Sequence, residues 1–242
     1  MSVKTQAIVL HHIPYSDSGV IAHLYTRQEG RISVFVRSGS RRSVMRATFL
    51  QPFSVLDLVL HGKPQSTMMY VKECSPSLIF NSIPFNSIKS SITLFLSEVL
   101  YRTLKVQHSD KVLFDFLVSS IEFFDNCDKG TGNFHLLFLL QLSKYLGFYP
   151  NVENFSNQKK TFFDLKNGCL CLEKPLHPFF LSEEQTVNFL LILRFNYQTM
   201  YLLKLSREQR QHILEQIMLF LQLHLPEFGS VKSIGIIKQI FD

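Results

Sequence analysis

The chain has 242 residues, of which 46% are hydrophobic and 18% are charged, a balance that supports apolar cores and argues against a disordered chain. Its length suits two domains of ordinary size better than one. The formal net charge is +6. Residues 1–14 lack the apolar core of a secretory signal, and the strongest apolar stretch, residues 134–142, is far shorter than the ~20 residues that span a bilayer. We therefore expect a cytoplasmic protein that contacts no membrane and keeps its four cysteines reduced.

The first 75 residues read as a small β-barrel. Five β-type runs, each with turn-forming residues beside it, occupy residues 5–13, 20–26, 31–37, 53–61 and 67–74. Five short strands with one long connection between the third and the fourth are typical of an OB-type barrel. An SH3-like barrel is the alternative.

Positive charge is concentrated in this N-terminal part. Residues 1–80 contain nine Lys or Arg against four acids, whereas residues 81–242 contain sixteen against fifteen. No acid occurs from residue 30 to residue 56, and five Arg do. Guanidinium groups on a Ser/Gly-rich loop suit phosphate binding, although a solvated loop is the alternative interpretation. The candidate DNA-binding residues are Arg31, Arg37, Arg41, Arg42, Arg46 and Lys63. Tyr25 and Phe35 could stack on bases or belong to the barrel core.

The remainder reads as a helical domain with one β insertion. Apolar residues recur at helical spacing in residues 88–104, 112–124 and 134–146, and residues 75–84 are the predicted linker. Two short runs, 162–165 and 169–172, flank Asn167-Gly168 and predict a hairpin. Ser182 and Ser206 each open an S-x-x-Q capping box, and a last helix is predicted at about residues 230–241. The predicted fold class is therefore α+β, with an OB-type domain at 1–78 and a mainly helical domain at 79–242 that carries the hairpin at about 151–180.

Motifs for catalysis are missing from the sequence. It has no P-loop, G-x-S-x-G, H-E-x-x-H or G-x-G-x-x-G pattern. His11 and His12 are neighbours on a strand, so their side chains point to opposite faces and a shared metal is disfavoured. Glu98 lies in an apolar helix without a partner His, which favours a structural anchor. We expect a protein that is not an enzyme and that needs no cofactor or metal.

Several short segments identify a family by their order along the chain. The most specific is Arg37-Ser-Gly-Ser-Arg-Arg-Ser43, followed by Leu50-Gln-Pro-Phe53. The others are Ala7-Ile-Val-Leu10, Leu24-Tyr-Thr-Arg-Gln-Glu-Gly30, Leu96-Ser-Glu-Val-Leu-Tyr101, Leu146-Gly-Phe-Tyr-Pro150 and Leu223-His-Leu-Pro-Glu-Phe228. Taken together they resemble the RecO family of bacterial recombinational-repair proteins over essentially the whole chain.

The resemblance implies an OB-fold domain, a helical domain, and binding of single- and double-stranded DNA. It also implies annealing of complementary strands, loading of recombinase together with RecR, and a cytoplasmic, nucleoid-associated location. Contact with the acidic C-terminal tail of the single-strand-binding protein is implied as well. We predict that Arg102 and Lys105, at the end of the first helix, receive this tail; the alternative is that both are solvated cations favoured by the helix dipole.

Many RecO relatives carry a four-cysteine zinc site that begins with a C-x-x-C pair. In this chain Asn154-Phe-Ser-Asn157 stands where that first pair belongs, and only Cys169 and Cys171 remain, with one residue between them. We therefore expect a member without zinc. The rival class for the whole chain is a helical adaptor whose barrel binds RNA or protein.

Overall fold

The N-terminal part of the chain closes into a five-stranded barrel. A computed structural model describes residues 2–16, 19–37, 49–61, 68–105, 108–152 and 161–240. The strands are β1 (Ser2–Ser16), β2 (Gly19–Thr26), β3 (Gly30–Arg37), β4 (Val55–His61) and β5 (Met68–Pro76). Their order is β1-β2-β3-β5-β4, and β4 pairs back with β1. All pairs are antiparallel except β3 with β5. This Greek-key closure is that of an OB-type barrel, and the predicted fold class is confirmed.

Alternate residues of each strand fill the barrel. On β3, Ile32, Val34 and Val36 point inward and belong to one apolar core with residues of the other four strands. The residues between them, such as Ser33 and Phe35, lie on the outer face, because successive side chains of a strand point to opposite sides. The period-2 pattern in the sequence thus fixes which side chains can meet a ligand.

The fourth strand begins two residues later than predicted. Phe53 is completely buried and has a φ of 67°, in the left-handed region, and the Ser54 N–H donates to the Gln51 carbonyl 3.0 Å away. The chain therefore turns at residues 51–54 before it enters β4.

The chain divides into two compact units, residues 1–126 with 231–237 and residues 127–230 with 238–242. The first unit holds the barrel, α1 (Ser87–Thr103) and α2 (Lys111–Asn126). The Leu113 N–H donates to the Asp110 carboxylate at 2.9 Å, so Asp110 caps the N-terminus of α2. The predicted domain limits, 1–78 and 79–242, stay a prediction.

The predicted linker is tied down by one carboxylate of α2. The Asp125 Oδ2 accepts a hydrogen bond from the Asn81 N–H at 2.7 Å. Its Oδ1 accepts from the N–H groups of Ser82 at 2.9 Å and Ile83 at 2.8 Å. Burial disfavours the charged form, but these three donors outweigh it and hold the pKa of Asp125 below its ordinary value of 3.8. The segment that leaves the barrel is thereby fixed to α2.

The second unit contains α3 (Phe134–Tyr145), α4 (Glu183–Ile192), α5 (Arg207–His224) and a sheet of β6 (Phe162–Asp164), β7 (Cys169–Cys171) and β8 (Phe180–Leu181). A short last helix, α6 (Ile234–Ile240), ends the described chain. Both predicted capping boxes are present, at Ser182 with Gln185 and at Ser206 with Gln209. Among the described helices, none is long and apolar enough to cross a bilayer.

Replacing Asp125 with Asn is expected to lower the free energy of unfolding by about 2–3 kcal/mol, because hydrogen bonds to a charged group contribute about 1.5–3 kcal/mol each. Since the folded-state pKa lies below that of the unfolded chain, this contribution is present above about pH 4 and is lost as the pH falls through the folded value. Urea titrations of the wild type and the variant, at neutral and at acid pH, measure both effects.

Asp115→Asn is the matched control, because Asp115 lies on the same helix and makes an exposed ion pair with Arg27 at 3.0 Å. Exposed pairs contribute about 0–1 kcal/mol. Equal destabilisation by the two substitutions would contradict the role given to Asp125.

Candidate nucleic-acid interface

Three aromatic side chains meet on the outside of the barrel. Tyr15 on β1 lies 5.9 Å from Phe35 on β3, and Phe35 lies 6.4 Å from Tyr70 on β5, measured between ring centroids. Both contacts are edge-to-face, with interplanar angles of 79° and 85°. Tyr15 is 66% exposed and Tyr70 50% exposed. We call Tyr15, Phe35 and Tyr70 the surface aromatic cluster.

A glycine on the intervening strand makes room for this cluster. Gly19 is paired with Ser16 on one side and with Arg37 on the other. A Cβ atom at Gly19 would lie 2.6 Å from Cζ of Phe35 and 2.6 Å from the carbonyl oxygen of Val36. The missing side chain therefore lets the Phe35 ring lie over β2, where it reaches Tyr15.

Two connections of the barrel carry basic residues, 38–48 after β3 and 62–67 before β5, and we call them the basic connections. Along the strand direction, the cluster lies between the end of β3 and the start of β5. β3 leads into residues 38–48 two residues after Phe35, and β5 begins directly after residues 62–67, with Tyr70 as its third residue. Phe35 and Tyr70 are direct partners in the parallel β3–β5 ladder. The predicted DNA-binding residues Arg41, Arg42, Arg46 and Lys63 lie outside the described residues. Arg37 ends β3, but its side chain is likewise outside the description, so its role stays a prediction.

Arg31, also predicted to bind DNA, makes its contacts with the end of α1. Its Nη1 donates to the carbonyl oxygens of Tyr101 at 2.7 Å and Leu104 at 3.2 Å, at the C-terminus of α1. Its guanidinium carbon lies 4.2 Å from the centroid of the Tyr101 ring. Its donors satisfy carbonyl groups at the helix C-terminus that have no partner within the helix, and its positive charge interacts favourably with the helix dipole. The geometry therefore supports a structural role for Arg31.

Tyr25 and Phe35, the two base-stacking candidates from the sequence, differ in their burial. Tyr25 is only 2% exposed and stacks on Phe114 of α2 at 6.2 Å. Phe35 lies on the same outer side of the sheet but remains partly exposed. Tyr25 therefore packs between the barrel and α2, and Phe35 belongs to the surface.

His11 and His12 do not form a pair. His11 is opposite His23 in the β1–β2 ladder, and their rings stack at 6.3 Å, whereas His12 is opposite Ala22. Burial, followed by the charge of Arg31, lowers the pKa of His23 below its ordinary value. Within the part of the chain that the structure describes, no three His, Cys, Asp or Glu side chains come together as a metal site.

Comparison with known proteins identifies the family. Residues 1–80 match the family described as Recombination protein O N terminal, and residues 85–233 match Recombination protein O C terminal. The chain is 38% identical to DNA repair protein RecO of Phocaeicola vulgatus, 34% identical to that of Bacteroides fragilis and 32% identical to that of Flavobacterium psychrophilum. Each match covers 100% of both chains. The chain belongs to the RecO family. The resemblance drawn from the sequence is confirmed, and with it the membership in a family of DNA repair proteins.

Arg102 and Lys105, at the end of α1, are the residues predicted to bind the tail of the single-strand-binding protein. Arg102 forms an ion pair with Glu98 at 3.1 Å on the same helix. The Glu98 carboxylate also accepts hydrogen bonds from the N–H groups of Lys232 at 3.0 Å and Ser233 at 2.9 Å. Glu98 is thus a structural anchor, as expected. These bonds hold residues 232 and 233 ahead of α6, which begins at Ile234 and not at residue 230.

The hairpin at the place of the RecO zinc site is organised by Asp164. Its Oδ1 accepts from the N–H groups of Lys166 at 2.8 Å and Asn167 at 2.9 Å. Its Oδ2 accepts from Asn167 Nδ2 at 2.7 Å and lies 3.2 Å from His177 Nε2. Gly168 closes the turn with a φ of 67°. One carboxylate therefore holds this turn.

The two remaining thiols of the hairpin fit zinc poorly. A tetrahedral site needs four ligands and ionised thiols, and residues 153–160, although outside the described residues, contain no cysteine. Burial, followed by the charge of Asp164, raises the pKa of Cys171, which favours its protonated form. The residues present therefore do not match a four-cysteine zinc site.

We expect elemental analysis of the purified protein to find less than one zinc per chain, and a chelator to leave the unfolding midpoint unchanged. Asp164→Ala should instead lower the free energy of unfolding by about 2 kcal/mol, since it removes charge-assisted hydrogen bonds from a turn. Asp128→Ala, at an exposed aspartate of the same unit, is the control and should have little effect. Stoichiometric zinc together with unfolding by the chelator would contradict this interpretation.

Sequence reasoning missed Tyr15 and Tyr70. Both are parts of predicted strands or their flanks, and neither stands beside the basic segment in the sequence. The available signal was the alternation of β5, where Met69 and Val71 are buried and Tyr70 between them is exposed. This alternation shows that Tyr70 faces outward, but only the β3–β5 pairing shows that it meets Phe35.

Proposed function

We propose that this chain is a DNA-binding recombination mediator that acts in recombinational repair and has no catalytic site. The barrel and its basic connections bind DNA, single-stranded and double-stranded, and the chain anneals complementary strands. With RecR, it helps to load recombinase onto DNA coated by the single-strand-binding protein. Membership in the RecO family supports the repair role.

The observation that carries the DNA-binding proposal is the place of the basic segment in the fold. β3 belongs to a closed OB-type barrel and leads directly into the acid-free segment that contains Arg41, Arg42 and Arg46. OB-type barrels bind oligonucleotides through strand faces and neighbouring loops. Lys63 lies in the other connection, which enters β5 on the opposite side of the same row of residues. Positive charge and an OB-type surface therefore coincide in one part of the chain.

Replacing Arg41 and Arg42 together with Ala is expected to weaken binding to every DNA sequence alike. Each lost phosphate contact reduces counterion release, so the slope of log affinity against log salt should fall in magnitude by roughly 1.5–2. Fluorescence anisotropy with plain oligonucleotides over a salt series measures both quantities. The same variant should anneal strands coated with single-strand-binding protein more slowly.

Lys144→Ala with Lys166→Ala is the matched control, because it removes the same charge at two exposed residues of the second unit. It should leave the salt slope unchanged. If the Arg41 and Arg42 variant also leaves affinity and slope unchanged, the segment does not bind phosphate. If the wild type does not bind DNA at all, the rival class, an adaptor for RNA or protein, becomes the better interpretation.

Tail binding is proposed for the end of α1. Both Arg102 and Lys105 stay candidates for a contact with an acidic tail. Arg102 also forms the ion pair with Glu98, whereas Lys105 is exposed and can be replaced with that ion pair left in place. Lys105 is therefore the residue at which the prediction is tested.

Lys105→Ala should weaken binding of an acidic tail peptide to the full chain by up to about fivefold, as expected for one exposed charge contact, and the loss should shrink as salt is added. Isothermal titration calorimetry gives the affinities. Lys111→Ala, at an exposed lysine of α2, is the control. Equal affinities for the wild type and Lys105→Ala would place the tail elsewhere on the protein.

A further inference from the structure

We infer that the surface aromatic cluster is a stacking platform for the bases of unpaired DNA, so that the barrel distinguishes single strands from duplex. This inference rests on the proposed DNA-binding function and adds to it a second kind of contact. The basic connections hold phosphates of any DNA, whereas Tyr15, Phe35 and Tyr70 hold bases only where a strand is unpaired.

The surface aromatic cluster is open to solvent. Tyr15 and Tyr70 are 66% and 50% exposed, and Ile13, two residues before Tyr15 on β1, is 40% exposed. A row of paired residues runs from Ile13 on β1 through Ile21 on β2 to Phe35 and Tyr70, and Tyr15 contacts this row at Phe35. An apolar patch rimmed by polar residues marks a binding surface. Tyrosine suits a wet interface, because its ring is apolar and its hydroxyl can stay hydrated.

The rings of the cluster are arranged so that some of their faces stay uncovered. An edge-to-face contact covers one face of one ring and only an edge of the other ring. The two contacts of the cluster therefore leave ring faces free for a base. The Phe35 ring is held from beneath, since it lies directly over Gly19. A platform whose central ring is already fixed loses little conformational freedom when it binds.

The positive charge of the segments beside the cluster favours a nucleic acid over an apolar partner. Apart from Arg31, which binds the end of α1, residues 30–56 contain four Arg and no acid, and the second connection adds Lys63. A groove that combines positive charge with aromatic side chains is the pattern of single-strand binding. The bases of a duplex are already stacked on each other, so the same rings cannot serve paired DNA.

The test uses the full chain with three double variants of Tyr15 and Tyr70, changed to Ala, to Leu and to Phe. Affinity is measured by anisotropy for an unstructured oligothymidine and for a hairpin duplex. The Ala and Leu variants should bind oligothymidine at least about tenfold more weakly and bind the duplex as the wild type does. The Phe variant keeps the rings and should keep the affinity. The Leu variant keeps apolar side chains there, so its loss would show that aromatic rings are required.

The salt dependence separates stacking from phosphate binding. Stacking releases no counterions, so the Ala variant should keep the wild-type salt slope while its affinity falls. The chain contains no Trp and eight Tyr, so its intrinsic emission comes from tyrosine. Oligothymidine should quench part of this emission in the wild type, and less of it in the Phe variant.

The outcomes separate the two proposals. If the wild type binds neither oligothymidine nor duplex at low salt, the DNA-binding function fails. If it binds both and the Ala variant binds oligothymidine as tightly as the wild type does, only the stacking platform is overturned. Equal losses for oligothymidine and duplex would also overturn it. A Leu variant that binds like the wild type would show that the cluster offers apolar contact and no stacking.

Discussion

Closure of the barrel by its first strand is the constraint on which the described surface depends. β1 is 15 residues long, and Ala7 and Ile8 pair with β2 on one side and with β4 on the other. Beyond the end of its pairing with β4, β1 continues along β2 and carries Tyr15. If β1 ended at Ile8, the sheet would still have its core residues on β3, but Phe35 would have no neighbour across Gly19. Fold closure and the aromatic surface therefore come from the same strand.

The two proposals together give the barrel two kinds of contact that respond differently to their surroundings. Phosphate contacts are long in range, are screened by salt and ignore base pairing. Ring contacts are short in range, ignore salt and require an unpaired base. A protein that must find DNA and then favour its single-stranded parts needs both. Phe35 and Tyr70 lie in one row between the end of β3 and the start of β5, the two strand ends that border the basic connections.

Local patterns predicted most of the fold. Alternation gave the strands, and the S-x-x-Q segments at Ser182 and Ser206 gave two helix starts, because both depend on neighbouring residues alone. The site was less predictable. Tyr25 and Phe35 share the outer side of the sheet, and only the position of α2 buries one of them. Arg31 looked like part of the basic segment, but the carbonyl groups that bind it come from a helix 70 residues further along the chain.

The turn held by Asp164 has a chemical consequence. In a four-cysteine zinc site the metal–thiolate bonds hold the structure, and thiolates are open to oxidation. The turn between β6 and β7 is held by a carboxylate that accepts from backbone N–H groups and from an amide. Sulfenic acid formation at Cys169 or Cys171 would therefore leave each of these bonds in place. The hairpin therefore keeps its structural bonds under conditions that oxidise thiolates.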